Sequence, residues 1–359
     1  LLFVISILIV YITLLNVIIL IALFVKKYTS TRNTNEKSVT VIVAFRNEKD
    51  NLEILITSLK NQNYSAHKFE VILVDDYSED DSFQLAQNLV SDTSNFKVIK
   101  NCYNPGKKNA LKTGIGEAQN EILLFTDADC IQQSEWIKSI VKEFDSDTDL
   151  VYGYSPFLQE KYFVNHLCRY ENLFTSTLMT AFHNIGFPYM SFGRNLSYRK
   201  TLFQKVGGFQ QIQKSLSGDD DLFLQLAVKS GARVKLVENP EALVFTKCVS
   251  NMKDYINRKS RHISASKFYP VELKIFLAFI YGGNILLQFF LPIALITLDP
   301  FLLSFILFNW ILKILSSSKI CSTIKISFPY YLIPIMDFIY NFTLILTGIR
   351  SRLKIVSWK

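Results

Sequence analysis

Glu121-Ile-Leu-Leu-Phe-Thr-Asp-Ala-Asp-Cys130 is the stretch that decides the fold. Glu121 to Phe125 is short, mostly apolar and runs straight into a polar turn, so it reads as a buried strand. The turn carries Asp127 and Asp129, one residue apart. On an extended segment residues i and i+2 point the same way, so the two carboxylates are expected to converge at the carboxyl end of the strand. Left alone they repel, and one tends to hold a proton. A divalent cation removes that conflict, and hard oxygen ligands suit Mg2+ or Mn2+. A lone Asp-x-Asp occurs by chance in turns. Its weight here comes from what accompanies it along the chain.

Upstream, strand and helix patterns alternate. Ser38 to Phe45 reads as a strand that ends at Arg46-Asn47-Glu48, and Asn51 to Leu59 carries apolar residues at helical spacing. Glu70 to Val74 is a second strand, ending at Asp75-Asp76-Tyr77-Ser78. Ser82 to Val90 reads as a helix capped by the Asp/Ser cluster before it. Phe96 to Lys100 is a short third strand, and Asn104-Pro105-Gly106-Lys107-Lys108-Asn109-Ala110-Leu111 is a turn leading into a helix. Such alternation predicts a parallel sheet with crossover helices. Ligands on such sheets bind at the carboxyl ends of the strands, where Arg46 to Glu48, Asp75-Asp76 and Asp127-Asp129 all fall. No Gly-x-Gly-x-x-Gly follows the first strand, which disfavours a dinucleotide-binding reading.

The chain has 359 residues, 49% of them hydrophobic, with 29 Phe and 17 Tyr. Leu1 to Val25 lacks any charged residue and, at about 1.5 Å per residue, is long enough for a membrane span. A signal peptide would have a shorter apolar core and a small-residue cleavage site. The chain opens without Met, so a few residues are expected before Leu1. Residues 26–37 form a linker. A second apolar block, Ile275 to about Leu315, is broken by Asp299-Pro300 and reads as two spans, 275–298 and 300–315, joined by a tight hairpin. A third block, 330–349, contains Pro334 and Asp337. An ionisable residue at such depth costs on the order of 3 kcal/mol, so this block either faces other helices or lies partly in the interface. Lys26 and Lys27 after the first span, and a basic segment including residues 263–274 before the second, predict a cytoplasmic globular domain. Arg350, Arg352, Lys354 and Lys359 run against that rule if the last block crosses the membrane. The net charge of +8 is mostly juxtamembrane and suits lipid head groups or phosphates; no nucleic-acid module is present. The five Cys show neither metal spacing nor a pairing pattern, and reduced thiols are expected.

After Asp149 the pattern changes. Phe157 to Phe187 is rich in aromatics and reads as a core helix or as a surface beside the bilayer. Gly193-Arg194-Asn195-Leu196-Ser197-Tyr198-Arg199 leads to Val206-Gly207-Gly208-Phe209, a tight turn. Ser217-Gly218-Asp219-Asp220-Asp221-Leu222 precedes a helix, Leu222 to Lys229. One Asp would suffice as a cap; three after a Gly invite a catalytic carboxylate. Arg258-Lys259-Ser260-Arg261-His262 is either a lipid-facing charge cluster or a counter-charge for a leaving diphosphate.

In this order, Val-Ile-Val-Ala-Phe-Arg-Asn-Glu (41–48), Val-Asp-Asp-Tyr-Ser (74–78), Gly-Lys-Lys-Asn-Ala-Leu (106–111), Thr-Asp-Ala-Asp (126–129), Gly-Arg-Asn-Leu-Ser-Tyr-Arg (193–199), Val-Gly-Gly-Phe (206–209) and Gly-Asp-Asp (218–220) resemble the family 2 glycosyltransferases of the GT-A fold. The likeness is to their membrane-anchored branch, which includes cellulose, chitin and hyaluronan synthases and related single-addition enzymes. It implies an α/β, Rossmann-like GT-A domain over 38–262 with N- and C-terminal transmembrane helices. It implies that Asp76 holds the nucleotide base with Asp75 close by, that Glu48 and Lys107 lie near the nucleotide, and that Asp127 and Asp129 contact the nucleotide sugar and its Mg2+ or Mn2+. Asn195 would face donor and acceptor, and Arg261 would meet the diphosphate. Asp220, chosen over Asp219 and Asp221 by the interval to Gly231, matches the catalytic base, with Asp219 beside it.

Two departures from the family stand out. The Gln-x-x-Arg-Trp of polymerising synthases is Arg258-Lys259-Ser260-Arg261-His262 here, which keeps Arg261 alone and favours transfer of one sugar over processive synthesis. Tyr77 stands where the family commonly has Gly or a small residue. The expected activity is inverting, metal-dependent transfer from a nucleoside-diphosphate sugar, a UDP-sugar first, to a lipid or glycan acceptor at the cytoplasmic face of the membrane. The rivals are a non-catalytic scaffold that keeps the fold, a processive polysaccharide synthase, and a nucleotidyltransferase. The last needs a Gly-rich phosphate loop that Phe45-Arg46-Asn47-Glu48 is not.

Overall fold

The computed structural model describes residues 2–25, 36–215 and 217–353. In chain order the elements are α1 (Leu2–Ala22), β1 (Val39–Phe45), α2 (Lys49–Lys60), β2 (Phe69–Asp75), α3 (Ser82–Val90), β3 (Phe96–Lys100), α4 (Lys107–Glu117), β4 (Ile122–Phe125), β5 (Cys130–Gln132), α5 (Trp136–Val141), β6 (Leu150–Gly153), α6 (Phe163–Asn184), β7 (Leu196–Arg199), α7 (Lys200–Lys205), α8 (Asp221–Lys229), β8 (Val234–Val237), β9 (Val244–Thr246), α9 (Met252–Ala265), α10 (Val271–Thr297), α11 (Pro300–Ile324) and α12 (Ile333–Leu353). They fall into two compact units. Among the described residues, 36–158, 188–215 and 217–247 make an α/β unit, and 2–25, 159–187 and 248–353 make a helical one.

β-branched and apolar residues fill β1, β2 and β4, and every residue of β1 and β4 is buried. Strands of that composition are covered on both faces, as a parallel sheet with crossover helices requires. The order is β3-β2-β1-β4-β7-β6-β8, with β5 and β9 pairing apart. β1, β2, β3 and β4 run parallel, in register Phe45 to Asp75 and Ile42 to Phe125. The far half is mixed: β7 is antiparallel to β4 and β6, and β8 is parallel to β6. The sequence pattern showed the parallel half only. α4 lies directly on β1, because a Cβ at Gly114 would stand 2.6 Å from Ile42 Cγ2. Tyr77 has φ 59, in the left-handed region that favours glycine, as does Asn47 with φ 53. That geometry gives a physical reason for a small residue at position 77.

In the helical unit, α10, α11 and the segment Tyr330–Ser351 are each long and apolar enough to cross a membrane, and they mark the chain as membrane-associated. α1 is shorter and apolar. Leu298 in the left-handed region ends α10, and Asp299 caps α11 through Phe301 N–H (2.9 Å) and Leu302 N–H (3.1 Å), which is the hairpin expected at Asp299-Pro300. α11 runs on to Ile324, past the expected end near Leu315, because Ser316 and Ser317 are buried against neighbouring helices rather than solvated. Asp337 is 1% exposed, so the third block faces other helices. Its Oδ2 accepts from Lys313 Nζ (2.6 Å) and Gln288 (2.7 Å), and its Oδ1 from Tyr170 Oη (2.7 Å) and Asn341 (3.1 Å). α6 is largely buried, which decides for core helix over Phe163–Asn184.

Cys168 and Cys248, 80 residues apart, are joined by a disulfide, against the expectation of unpaired thiols. Their spacing carries no signal, since only the packing of the helical unit brings them to a Cα–Cα distance of 6.6 Å. Most of the linker expected at 26–37 lies outside the described residues, as do Lys26, Lys27, Lys354 and Lys359.

Candidate active site

The α/β unit brings four segments together beyond the carboxyl ends of β1, β2 and β4. Gly106, Lys107 and Leu111 enter from the start of α4, Thr126 and Asp127 from the end of β4, and Gly193 and Asp219 from the loops before β7 and α8. With Phe125, Leu196 and Tyr198, all of these but Gly106 line a narrow cleft. Beneath it Tyr198 stacks on Phe125 (4.5 Å between centroids) and packs on Phe223 (4.4 Å), a rigid apolar floor under polar walls.

Lys107 is the centre of the charge pattern. Its Nζ lies 2.8 Å from Asp127 Oδ1 and 2.9 Å from Asp219 Oδ2, tying two loops to α4. Burial works to lower its pKa, but the carboxylates of Asp127 and Asp219 outweigh it and hold the ammonium above the usual lysine range. α4 itself is anchored from β2. Both Asp76 oxygens accept from Gly106 N–H (3.0 and 2.8 Å), and Oδ1 also accepts from Asn101 (2.7 Å). Asp76 is fully buried, and burial raises its pKa against those bonds. As placed, Asp76 fixes the turn that starts α4, and its two oxygens are turned to Gly106 and Asn101. Asp75 is buried and accepts from Ser78 N–H (3.3 Å). Glu48, at the start of α2, accepts from Asn51 (2.7 Å).

The Asp-x-Asp pair does not sit on extended backbone. β4 stops at Phe125, and a turn closed by Cys130 N–H to Asp127 O (3.3 Å) follows. Asp127 therefore reaches into the cleft, while Asp129 takes the thiol of Cys130 at 3.6 Å. The same-side argument from strand geometry fails at that turn.

Asp220 takes the capping role expected of the acidic triplet. It caps α8, with Oδ1 accepting from Asp221 N–H (2.8 Å). Its Oδ2 accepts from Gly193 N–H (3.1 Å), which links it to the cleft wall. A Cβ at Gly193 would stand 3.1 Å from Asp220 Cβ and 3.2 Å from Oδ2, so glycine is what lets the two loops touch. Burial, with the charges of Asp221 and Asp219 added, holds the Asp220 carboxyl well above the ordinary carboxylate range.

Asn195 is placed differently from expectation. It is fully buried, its Oδ1 accepts from Trp136 Nε1 (3.0 Å), and its amide donates to Tyr154 O and Ala242 O (2.8 Å each). All its amide groups are spent holding loops together, so in this structure it offers nothing to a ligand. Arg261 lies on α9 in the helical unit. Lys108 was missed: it is buried, donates to Ser215 O, and burial lowers its pKa against the pull of Asp219 and Asp220. Helical spacing held the clue. Lys108, Leu111 and Ile115 recur at i, i+3 and i+7, which puts Lys108 on the buried face of α4.

Fold and cleft together define the class: a GT-A, Rossmann-like α/β unit accompanied by apolar helices. Residues 40–207 match the family model described as Glycosyl transferase family 2. Residues 40–207, just under half of the chain, carry that likeness, and the curated relatives the chain resembles are named as glycosyltransferases. It is 26% identical over 194 residues to Glycosyltransferase AglE of Haloferax volcanii, covering 54% of this chain and 62% of that one. It is 28% identical over 240 residues to the Pre-mycofactocin glycosyltransferase of Mycobacterium tuberculosis, covering 63% and 46%. The chain thus spans less than two thirds of the length of these curated relatives. Among solved structures, the mannosyltransferase PcManGT from Pyrobaculum calidifontis, in complex with GDP-Man and Mn2+, aligns with a TM-score of 0.61 at 15% identity, covering 96% of this chain and 98% of that one. At that identity the likeness is one of fold.

Proposed function

We propose that the chain moves one sugar, with inversion, from a nucleoside-diphosphate sugar to a hydroxyl of a lipid or lipid-linked glycan, with Asp220 as general base. The observation that carries this reading is the position of Asp220: oriented by Gly193 N–H and Asp221 N–H, raised in basicity by burial, and one loop away from the cation-bearing cleft. An attacking hydroxyl is a poor nucleophile at neutral pH, and a carboxylate of raised pKa is the stronger proton acceptor once ionised. Asp219, already committed to Lys107, serves better as a counter-charge. Asp220 takes the hydroxyl proton as the new C–O bond forms at the anomeric carbon and the bond to the diphosphate breaks. Lys107 is poised to hold diphosphate oxygens, and the resemblance assigns Arg261 to the same charge. Asp75, Asp76 and Glu48 shape the nucleotide end, Asp76 by fixing Gly106. Asn195 acts by positioning.

The donor set fits a divalent cation. Asp127 and Asp129 offer two carboxylates on one turn, and Mg2+-type sites take one or two carboxylates and complete their shell with substrate phosphate oxygens and water. Among the described residues no group of three or more His, Cys, Asp and Glu gathers to hold a metal unaided. Held by Asp127 and Asp129, Mg2+ or Mn2+ would neutralise charge on the leaving diphosphate.

The absent Gln and Trp around Arg261 support single addition. The basic residues flanking the apolar helices support a cytoplasmic α/β unit, whereas the Cys168–Cys248 bond favours an oxidising compartment. Labelling of the exposed Cys102 by an impermeant maleimide in intact cells would overturn the cytoplasmic placement.

The test of the function is release of nucleoside diphosphate by detergent-purified protein offered UDP- and GDP-sugars with Mn2+ or Mg2+ and membrane lipid extract. Turnover of one donor, dependent on metal and lost in Asp129→Ala and Asp220→Asn, is the expected result. Folded protein that neither turns over nor binds any nucleotide sugar would leave a scaffold that keeps the fold. Products longer by many sugars would mean a processive synthase.

A further inference from the structure

We propose that Lys107 is the built-in counter-ion of the donor-free cleft: it shields Asp127 and Asp219 so that free divalent cation is not taken up, and metal enters only together with a diphosphate. This rests on the glycosyltransferase reading of the same site and assigns it an order of binding.

The placement of Lys107 carries the argument. Its ammonium is shared between carboxylates from two separate loops, at 2.8 and 2.9 Å. It cannot retreat with its helix, because Gly106, the residue before it, is clamped by both oxygens of the fully buried Asp76. Asp127 is at once the carboxylate that Lys107 grips and one of the two offered to a cation. A dication approaching it meets a fixed positive charge within a few ångströms, and at such separations like charges in a partly buried cleft repel strongly. Lys108 adds a second buried ammonium next along α4. The protein donors are too few to overcome that unaided, since among the described residues no three acidic, His or Cys groups converge. A diphosphate changes the balance. Its oxygens supply the missing negative charge and give Lys107 another partner, which frees Asp127 for the metal.

The test is Mn2+ binding, read from the electron paramagnetic resonance signal of free Mn2+, with and without UDP or GDP. It compares the intact protein with Lys107→Gln, which keeps the size and a hydrogen-bonding tip without the charge, and with Lys107→Arg. In the intact protein, Mn2+ should bind weakly alone and about tenfold or more tighter with a nucleoside diphosphate. Lys107→Gln should bind free Mn2+ about tenfold tighter than the intact protein and lose most of the gain from nucleotide, while Lys107→Arg should behave like the intact protein. Equal Mn2+ affinity with and without nucleotide, or a Lys107→Gln affinity no tighter than that of intact protein, overturns the proposal. The first of these needs no variant to fold. If neither nucleotide binds at all but Lys107→Gln still gains free Mn2+, the counter-ion role stands and the transferase reading of the cleft falls.

Discussion

Replacing Gly193 by alanine should slow turnover while leaving the protein folded. The new Cβ would stand 3.1 Å from Asp220 Cβ, 3.2 Å from Oδ2 and 3.4 Å from Cγ. Carbon contacts are comfortable at about 3.5–4.0 Å, so Asp220 must retreat by a few tenths of an ångström. Its bond to Gly193 N–H is already 3.1 Å long and would be stretched past useful length. A hydrogen bond to a charged group is worth about 1.5–3 kcal/mol, and a misplacement of 1 Å costs a catalytic group on the order of 100-fold. Part of that displacement should lower kcat by about tenfold. The assay is steady-state release of nucleoside diphosphate, run beside Gly116→Ala, where an added Cβ meets nothing within 4 Å. Gly193→Ala should cost little when placed on top of Asp220→Asn, because the two act as one unit. A Gly193→Ala enzyme as fast as the parent, or one that slows the Asp220→Asn variant just as much, would refute the link between this glycine and the base.

Further outcomes follow from the same structure. Asp220→Asn should lose about 100-fold or more in rate. In the parent, kcat/KM should rise with pH through a value above the ordinary carboxylate range, because burial first, then Asp221 and Asp219, raise the Asp220 pKa. The linkage has the opposite sign for stability: the folded protein holds that proton more tightly than the unfolded chain. The stability Asp220 contributes is therefore full below about pH 4 and is lost as pH rises through the folded value. Denaturant titrations that show no such decline relative to Asp220→Asn would contradict it. In the helical unit, Lys313→Met alone should destabilise by about 3–5 kcal/mol, by leaving Asp337 buried without its cation, and Lys313→Met/Asp337→Asn should recover most of the loss. Thermal unfolding in detergent that is no better for the pair than for the single change would rule out that pairing as the cause.

Local signals were readable in the sequence and long-range ones were not. α3 and β3 begin and end where apolar spacing and flanking polar residues put them. The Asp299-Pro300 break is a hairpin because its cap and its proline act within four residues. Asp220, within Gly218-Asp219-Asp220-Asp221, caps a helix, as composition suggested. The mixed half of the sheet escaped detection, since nothing in Leu150–Gly153 or Val234–Val237 states which strand lies beside it. Asn195 was expected to face a ligand because a motif carries its position but not its rotamer; Trp136, 59 residues earlier, decides where its amide points. Asp337 left two alternatives open for the same reason, because its partner Lys313 sits 24 residues away on another helix. The Cys168–Cys248 bond likewise depends on packing alone.

The Lys313–Asp337 pair also bears on how the chain reaches its bilayer. Lys313 belongs to α11 and Asp337 to α12, each in a helix apolar enough to cross a membrane. Delivered singly, each helix would carry an uncompensated charge into lipid, at a cost of about 2.5–3.5 kcal/mol. Delivered together, the two charges neutralise one another, and the connection between them is short enough for both to leave the insertion machinery as a hairpin. Insertion of this region would then be a joint event. A truncation between residues 324 and 333 would strand Lys313, so the last helix would serve the insertion of the one before it as well as its packing.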